Sequence, residues 1–149
     1  MKKLVFILFF TCILLQKCTK EDCNSLCFTP PNQFNFEFVD AKTGENIFTS
    51  NSFDKNELNV INLENNSIVE FTFIDENDYN ILSINSIGWK TESVNYSIQI
   101  ANKEILNLYV EAKRLSENCC SFTRFETIKI NNTNYTLDNQ SGIYTILLE

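Results

Sequence analysis

Ser93-Val94-Asn95-Tyr96-Ser97-Ile98-Gln99-Ile100 decides the fold class. Apolar and polar side chains alternate along it without a break. Val94, Tyr96, Ile98 and Ile100 therefore point one way, and Ser93, Asn95, Ser97 and Gln99 the other. A period of two is the mark of a strand with one buried face; an amphipathic helix would repeat every three to four residues.

The pattern recurs on both sides. Upstream, Gln33-Phe34-Asn35-Phe36-Glu37-Phe38-Val39 puts three phenylalanines on one face, and Asp40 to Asn46 follows as a turn around Gly44. Leu58 to Ile61 is a weaker strand. Ile68 to Ile74 sets Val69, Phe71 and Phe73 on one side, and Tyr79 to Ile87 carries Leu82 and Ile84 before it breaks at Gly88. Downstream, Ile105 to Lys113 directs Leu106, Leu108, Val110 and Ala112 inward. Phe122 to Ile130, Tyr135 to Leu137 and Gly142 to Leu148 complete the series, with Asn131-Asn132-Thr133-Asn134 expected to turn a hairpin. Short strands separated by Asn, Asp and Ser clusters, with no helical pattern, predict one all-β domain over residues 33–149. The expected form is an antiparallel β-sandwich of the immunoglobulin or transthyretin type with eight or nine strands.

Composition removes several kinds of chemistry. The chain has 149 residues and no His, which excludes Ser-His and Cys-His catalysis and the commonest metal ligand. Its three glycines, Gly44, Gly88 and Gly142, stand singly, so no phosphate-cradling loop is expected. The net charge of −7, more negative still once Lys2, Lys3 and Lys17 are removed, argues against nucleic acid or anionic membrane surfaces as partners. No catalytic residue and no cofactor are expected. A carboxylate-dependent glycan hydrolase is the one enzymatic alternative left.

The first residues read as an export signal. Met1-Lys2-Lys3 is positively charged, and Leu4 to Leu15 is almost wholly apolar but too short to span a bilayer, which takes about 20 helical residues. Leu15-Gln16-Lys17-Cys18 resembles the lipobox of bacterial lipoproteins, although Lys17 stands where that pattern prefers Gly, Ala or Ser. Lys20-Glu21-Asp22 resembles the export signal of surface-exposed lipoproteins of the Bacteroidota. Pro30-Pro31 followed by Phe34, Phe36 and Phe38 is similar to the openings of small outer-membrane lipoproteins of the same bacteria. The resemblance implies a signal peptide at residues 1–17, lipid on Cys18, a lipidated tether over 18–32 and a domain exposed at the outer-membrane surface. Removing Lys2, Lys3 and Lys17 with the signal reduces 12 basic residues to 9 against 19 acidic ones, a balance of −10.

Four more cysteines, Cys23, Cys27, Cys119 and Cys120, belong to an oxidising compartment if the export reading holds. Joining Cys119 to Cys120 would strain the peptide between them, so Cys23 and Cys27 are each expected to cross to one of the adjacent pair. Zinc is the alternative, disfavoured by adjacent ligands and the lack of His. Asp75-Glu76-Asn77-Asp78 offers oxygen ligands but not the spacing of a calcium loop, and reads as a solvated turn. Trp89, after Gly88 at a strand end, and Tyr109, opposite the apolar stripe of its strand, are the candidate contacts for a protein or glycan partner.

The expectation is thus a lipid-anchored envelope protein, non-catalytic, acting as a binding or accessory module. A periplasm-facing structural lipoprotein is its alternative location. Cys18→Ala should leave the chain uncleaved or free in the aqueous phase of a detergent partition. If that variant still enters the detergent phase at mature size, the anchor lies elsewhere.

Overall fold

The computed structural model describes residues 27–50, 52–76, 79–117 and 119–149. The export segment, Cys18, Lys20, Glu21, Asp22 and Cys23 lie outside the described residues, as do Asn77 and Asp78. Ten strands follow in chain order: β1 (Cys27–Phe28), β2 (Phe34–Asp40), β3 (Leu58–Asn62), β4 (Thr72–Ile74), β5 (Ile81–Ile84), β6 (Glu92–Ile100), β7 (Lys103–Glu117), β8 (Cys120–Asn131), β9 (Asn134–Asp138) and β10 (Ile143–Leu148). They form two five-stranded sheets, ordered β1-β8-β7-β6-β3 and β4-β5-β2-β10-β9. The fold is the expected β-sandwich, with ten strands among the described residues.

The alternating stretches supply the core as their period requires. Phe36, Phe38, Leu82, Ile84 and Ile146 from one sheet meet Val60, Ile98, Ile100, Leu106, Leu108 and Val110 from the other, all of them fully buried. Two bulges adjust this pattern. Ile98 pairs with Leu106 and Gln99 with Glu104, which leaves Ile105 as an extra residue that packs on the core. On β8, Phe125 pairs with Ala112 and Thr127 with Glu111, so Glu126 is extra.

Pairing departs from expectation in two ways. Asn131 to Asn134 does turn the chain, but β8 and β9 do not pair as a hairpin. β9 pairs antiparallel with β10, in the other sheet. The turn is therefore an arch between sheets, and it places Tyr135 and Leu137 on the same face as Ile146 and Tyr144. Second, the sandwich is not purely antiparallel. β2 and β10 run parallel from Asn35↔Ile143 to Asp40↔Leu148, and β1 runs parallel to β8.

Cys27 and Phe28, within the segment expected to be tether, form β1. Cys27 sits opposite Cys120 and is disulfide-bonded to it, with Cα atoms 4.4 Å apart across a separation of 93 residues. Thr29 N–H adds one more bond, to Ser121 O at 2.9 Å; Pro30 and Pro31 then have no N–H to offer, and the chain crosses to β2. Cys119 is also disulfide-bonded. In the chain-entropy account, closing a loop of this length stabilises by at most about 4–5 kcal/mol. Replacing Cys27 and Cys120 together by Ser should therefore lower the unfolding free energy in urea, by less than that ceiling because Cys119 keeps its own bond, and raise m slightly as the unfolded chain expands. An unchanged midpoint would show that the staple does nothing for the folded domain.

Candidate functional site

The two long sides of the sandwich are finished differently. On the β3–β4 side the chain closes the gap itself. Val69 N–H donates to Val60 O at 2.8 Å, Ile61 and Ile68 bridge, and Phe48 packs edge-on against Phe38 and Phe73. On the β8–β9 side nothing equivalent lies between the sheets among the described residues. β1 pairs with β8 only at Cys120 and Ser121, so the β8 edge is free from Phe122 onward, and β9 has β10 as its only described partner.

This open seam is apolar within. Residues paired across a ladder share a face. Ile128, opposite Val110, and Tyr135 and Leu137, opposite Ile146 and Tyr144, all point between the sheets. Yet they are 41%, 43% and 41% exposed, although each points toward the core layer. Ile128 and Leu137 line a cleft of about 620 Å³ whose wall is mixed: Phe34, Phe125 and Tyr144 on the apolar side, and Asn32, Gln33, Asn139 and Gln140 among its polar residues. Tyr144 stacks on Phe36 at 5.5 Å and contacts Tyr135 at 5.9 Å.

The two free edges differ in chemistry. On β8, Arg124, Glu126 and Lys129 stand along the edge and the Glu126 bulge disturbs its regularity, the usual protections against a further strand. On β9, Asn134-Tyr135-Thr136-Leu137-Asp138 carries no Lys, Arg or Pro, and no bulge interrupts its register. A polypeptide added there would meet unpaired backbone and a groove for every second side chain.

A second cleft, about 810 Å³, opens at the end of the sandwich near the β6–β7 and β8–β9 turns and includes Asp40, Glu104 and Glu149. Two of these carboxylates are already engaged. Asp40 Oδ1 accepts from Lys42 and Thr43 N–H at 2.8 and 2.9 Å, and the Thr43 and Lys42 amides hold its carboxyl below the usual range. Glu104 accepts from Ser97 Oγ at 2.7 Å and from Asn132 Nδ2 at 2.8 Å. In the acidic turn, Asp75 is ion-paired with Lys55.

Trp89 and Tyr109 are not brought together. Tyr109 lies on the polar outer face of the β1-β8-β7-β6-β3 sheet and donates its hydroxyl to Glu111 Oε1 at 2.6 Å, while Thr127 Oγ1 donates to Oε2 at 2.7 Å. The first of these bonds raises the tyrosine and lowers the carboxyl, since it joins a neutral phenol to an ionised acid. Trp89 is at the sandwich end where β7 and β8 overrun β6, and it stacks on Phe28 at 5.7 Å. Its loop is fixed on several sides. Gly88 N–H donates to Glu92 at 2.8 Å, Gly88 O accepts from Thr123 Oγ1 at 2.6 Å, and Trp89 Nε1 donates to Asn85 O at 2.7 Å. Gly88 has φ +91°, and a Cβ there would stand 2.8 Å from Thr123 Cγ2, so no other residue fits without a shift.

Sequence reading missed Phe28, the second ring of this pair, and Ile128, Tyr135 and Leu137 in the seam. Phe28 had one usable signal, its place beside a cysteine that would fix it to the domain. The seam had none, because its residues alternate as any core strand does. Compared with known proteins, the chain matches no family model, no curated protein and no solved structure.

Burial in the seam, with a smaller contribution from Tyr135, raises the Tyr144 phenol above its ordinary value of 10.0. A folded-state value above the unfolded one means that this stability is intact below pH about 10 and is lost as pH climbs through the folded value. Tyr144→Phe should flatten the alkaline arm of the stability profile above pH about 10 while leaving the neutral region nearly unchanged; an identical alkaline arm would contradict the assignment.

Proposed function

We propose that this chain is a non-catalytic binding module of the cell envelope, anchored by lipid on Cys18 at the outer membrane and facing outward, that takes an extended segment of a protein partner along β9. One observation carries the reading: the β8–β9 side leaves apolar side chains 41–43% exposed beside an unprotected strand edge. An added strand would pair its backbone with β9 and bury alternate side chains against Ile128, Tyr135 and Leu137. A protein suits this edge better than a glycan, because a row of N–H and C=O groups is matched by another polypeptide backbone. The engagement of Asp40 and Glu104 in turn and cross-strand bonds supports a binding role over carboxylate hydrolysis. The anchor and the outward face rest on Leu15 to Cys18 and on Lys20-Glu21-Asp22.

A photo-crosslinking phenylalanine analogue at Leu137 tests the site in intact cells, with the same label at Lys42 in the exposed Asp40–Asn46 turn as control. Leu137 should yield a discrete protein adduct and Lys42 none. Ile128→Asp, which puts a charge into the seam, should cut the adduct about tenfold, equivalent to a loss of ~1.4 kcal/mol. Equal labelling from both positions, or an adduct indifferent to Ile128→Asp, would remove β9 as the site.

A further inference from the structure

We infer that the end of the sandwich bearing Phe28 and Trp89 is a bilayer contact surface, with both rings in the headgroup layer. The inference rests on the lipid-anchored reading and adds to it how the domain sits. β7 and β8 extend past the last β6 pair, Glu92↔Ala112, as far as Glu117↔Cys120, an overhang of roughly 17 Å at ~3.3 Å per residue. The Cys27–Cys120 bond brings the start of the described chain to the tip of this overhang. Cys18 precedes Cys27 by nine residues, which span at most about 30 Å when extended, so lipid on Cys18 keeps this end nearest the bilayer.

The chemistry of this end fits a membrane interface. Phe28 is 58% and Trp89 51% exposed, and the Trp89 ring nitrogen is already satisfied by Asn85 O. Exposed Phe and Trp rings can bury apolar area at the boundary between headgroups and acyl chains. Arg114 lies 4.7 Å over the Phe28 ring and donates to Thr29 O, Thr123 Oγ1 and Ser121, which fixes that ring on the domain. Lys90, 79% exposed, is ion-paired with Glu92 at 3.9 Å.

Trp89 is the only tryptophan, so its fluorescence reports this surface alone. The full-length lipidated protein, reconstituted into phosphatidylethanolamine–phosphatidylglycerol vesicles, is titrated with phospholipid brominated high on its acyl chains. A control carries Trp89→Phe with Tyr135→Trp, which moves the reporter to the seam. Bromolipid should quench the wild-type chain roughly twofold or more over the control, as expected of a ring at the interface. Equal quenching in chains that float with the vesicles would overturn the contact surface and leave the anchor standing. Failure of the wild-type chain to float would overturn both.

Discussion

The parallel pairing of β2 with β10 is the constraint on which the second sheet depends. β2 is the central strand of that sheet, and β10 lies along one flank through six consecutive register pairs. Among the described residues β9 is attached only through β10, and Tyr144 stacks on Phe34 and Phe36 from the same strand. Without β10 the sheet would lose two of its five strands, and Phe34 and Phe36 would lose the Tyr144 ring stacked on them. The partners come from opposite ends of the domain, roughly 100 residues apart, so the sheet cannot be completed locally and must wait for a costly loop closure.

That order of assembly bears on the open side. On the β3–β4 side, Ile47, Phe48, Val69 and Phe71 from connecting segments fill the gap between sheets. On the β8–β9 side the connection is a two-residue arch at one end and the Pro30-Pro31 crossover at the other, and neither has side chains long enough to cover the strands between them. The seam is what remains when a sandwich is closed by a proline crossover at one end and a tight turn at the other. Arg124, Glu126 and Lys129 guard one lip of it, and nothing of that kind guards the other.

The sequence made the faces of the strands legible, but not their neighbours. Phe34, Phe36 and Phe38, or Leu106, Leu108 and Val110, declare a buried side by alternation alone, and each of these residues is buried. Alternation carries no information on which strand lies alongside, so the parallel β2–β10 pair was invisible and the turn at Asn131 to Asn134 was read as a hairpin. The same limit hid the seam: Leu137 has the pattern of a core residue, and only the missing neighbour exposes it. Trp89 was legible because a tryptophan after a glycine at a strand end has few places to go. Phe28 was not, because two residues of strand beside a disulfide leave no period to read.

The disulfide also sets a path for mechanical load. Suppose the chain is pulled from the start of β1 while a partner holds β9. The shortest covalent route runs from Cys27 through the sulfur bridge to Cys120, along β8, around Asn132 and Thr133, and into β9. The whole stretch between Cys27 and Cys120, which includes β2 to β7 and nearly all of the core, lies off that route. Tension therefore passes along one side of the domain rather than through it. The strands that bear it are the two that border the seam, and a reductant, by opening Cys27–Cys120, would shift the load onto the Pro30-Pro31 crossover and the phenylalanine-rich strand behind it.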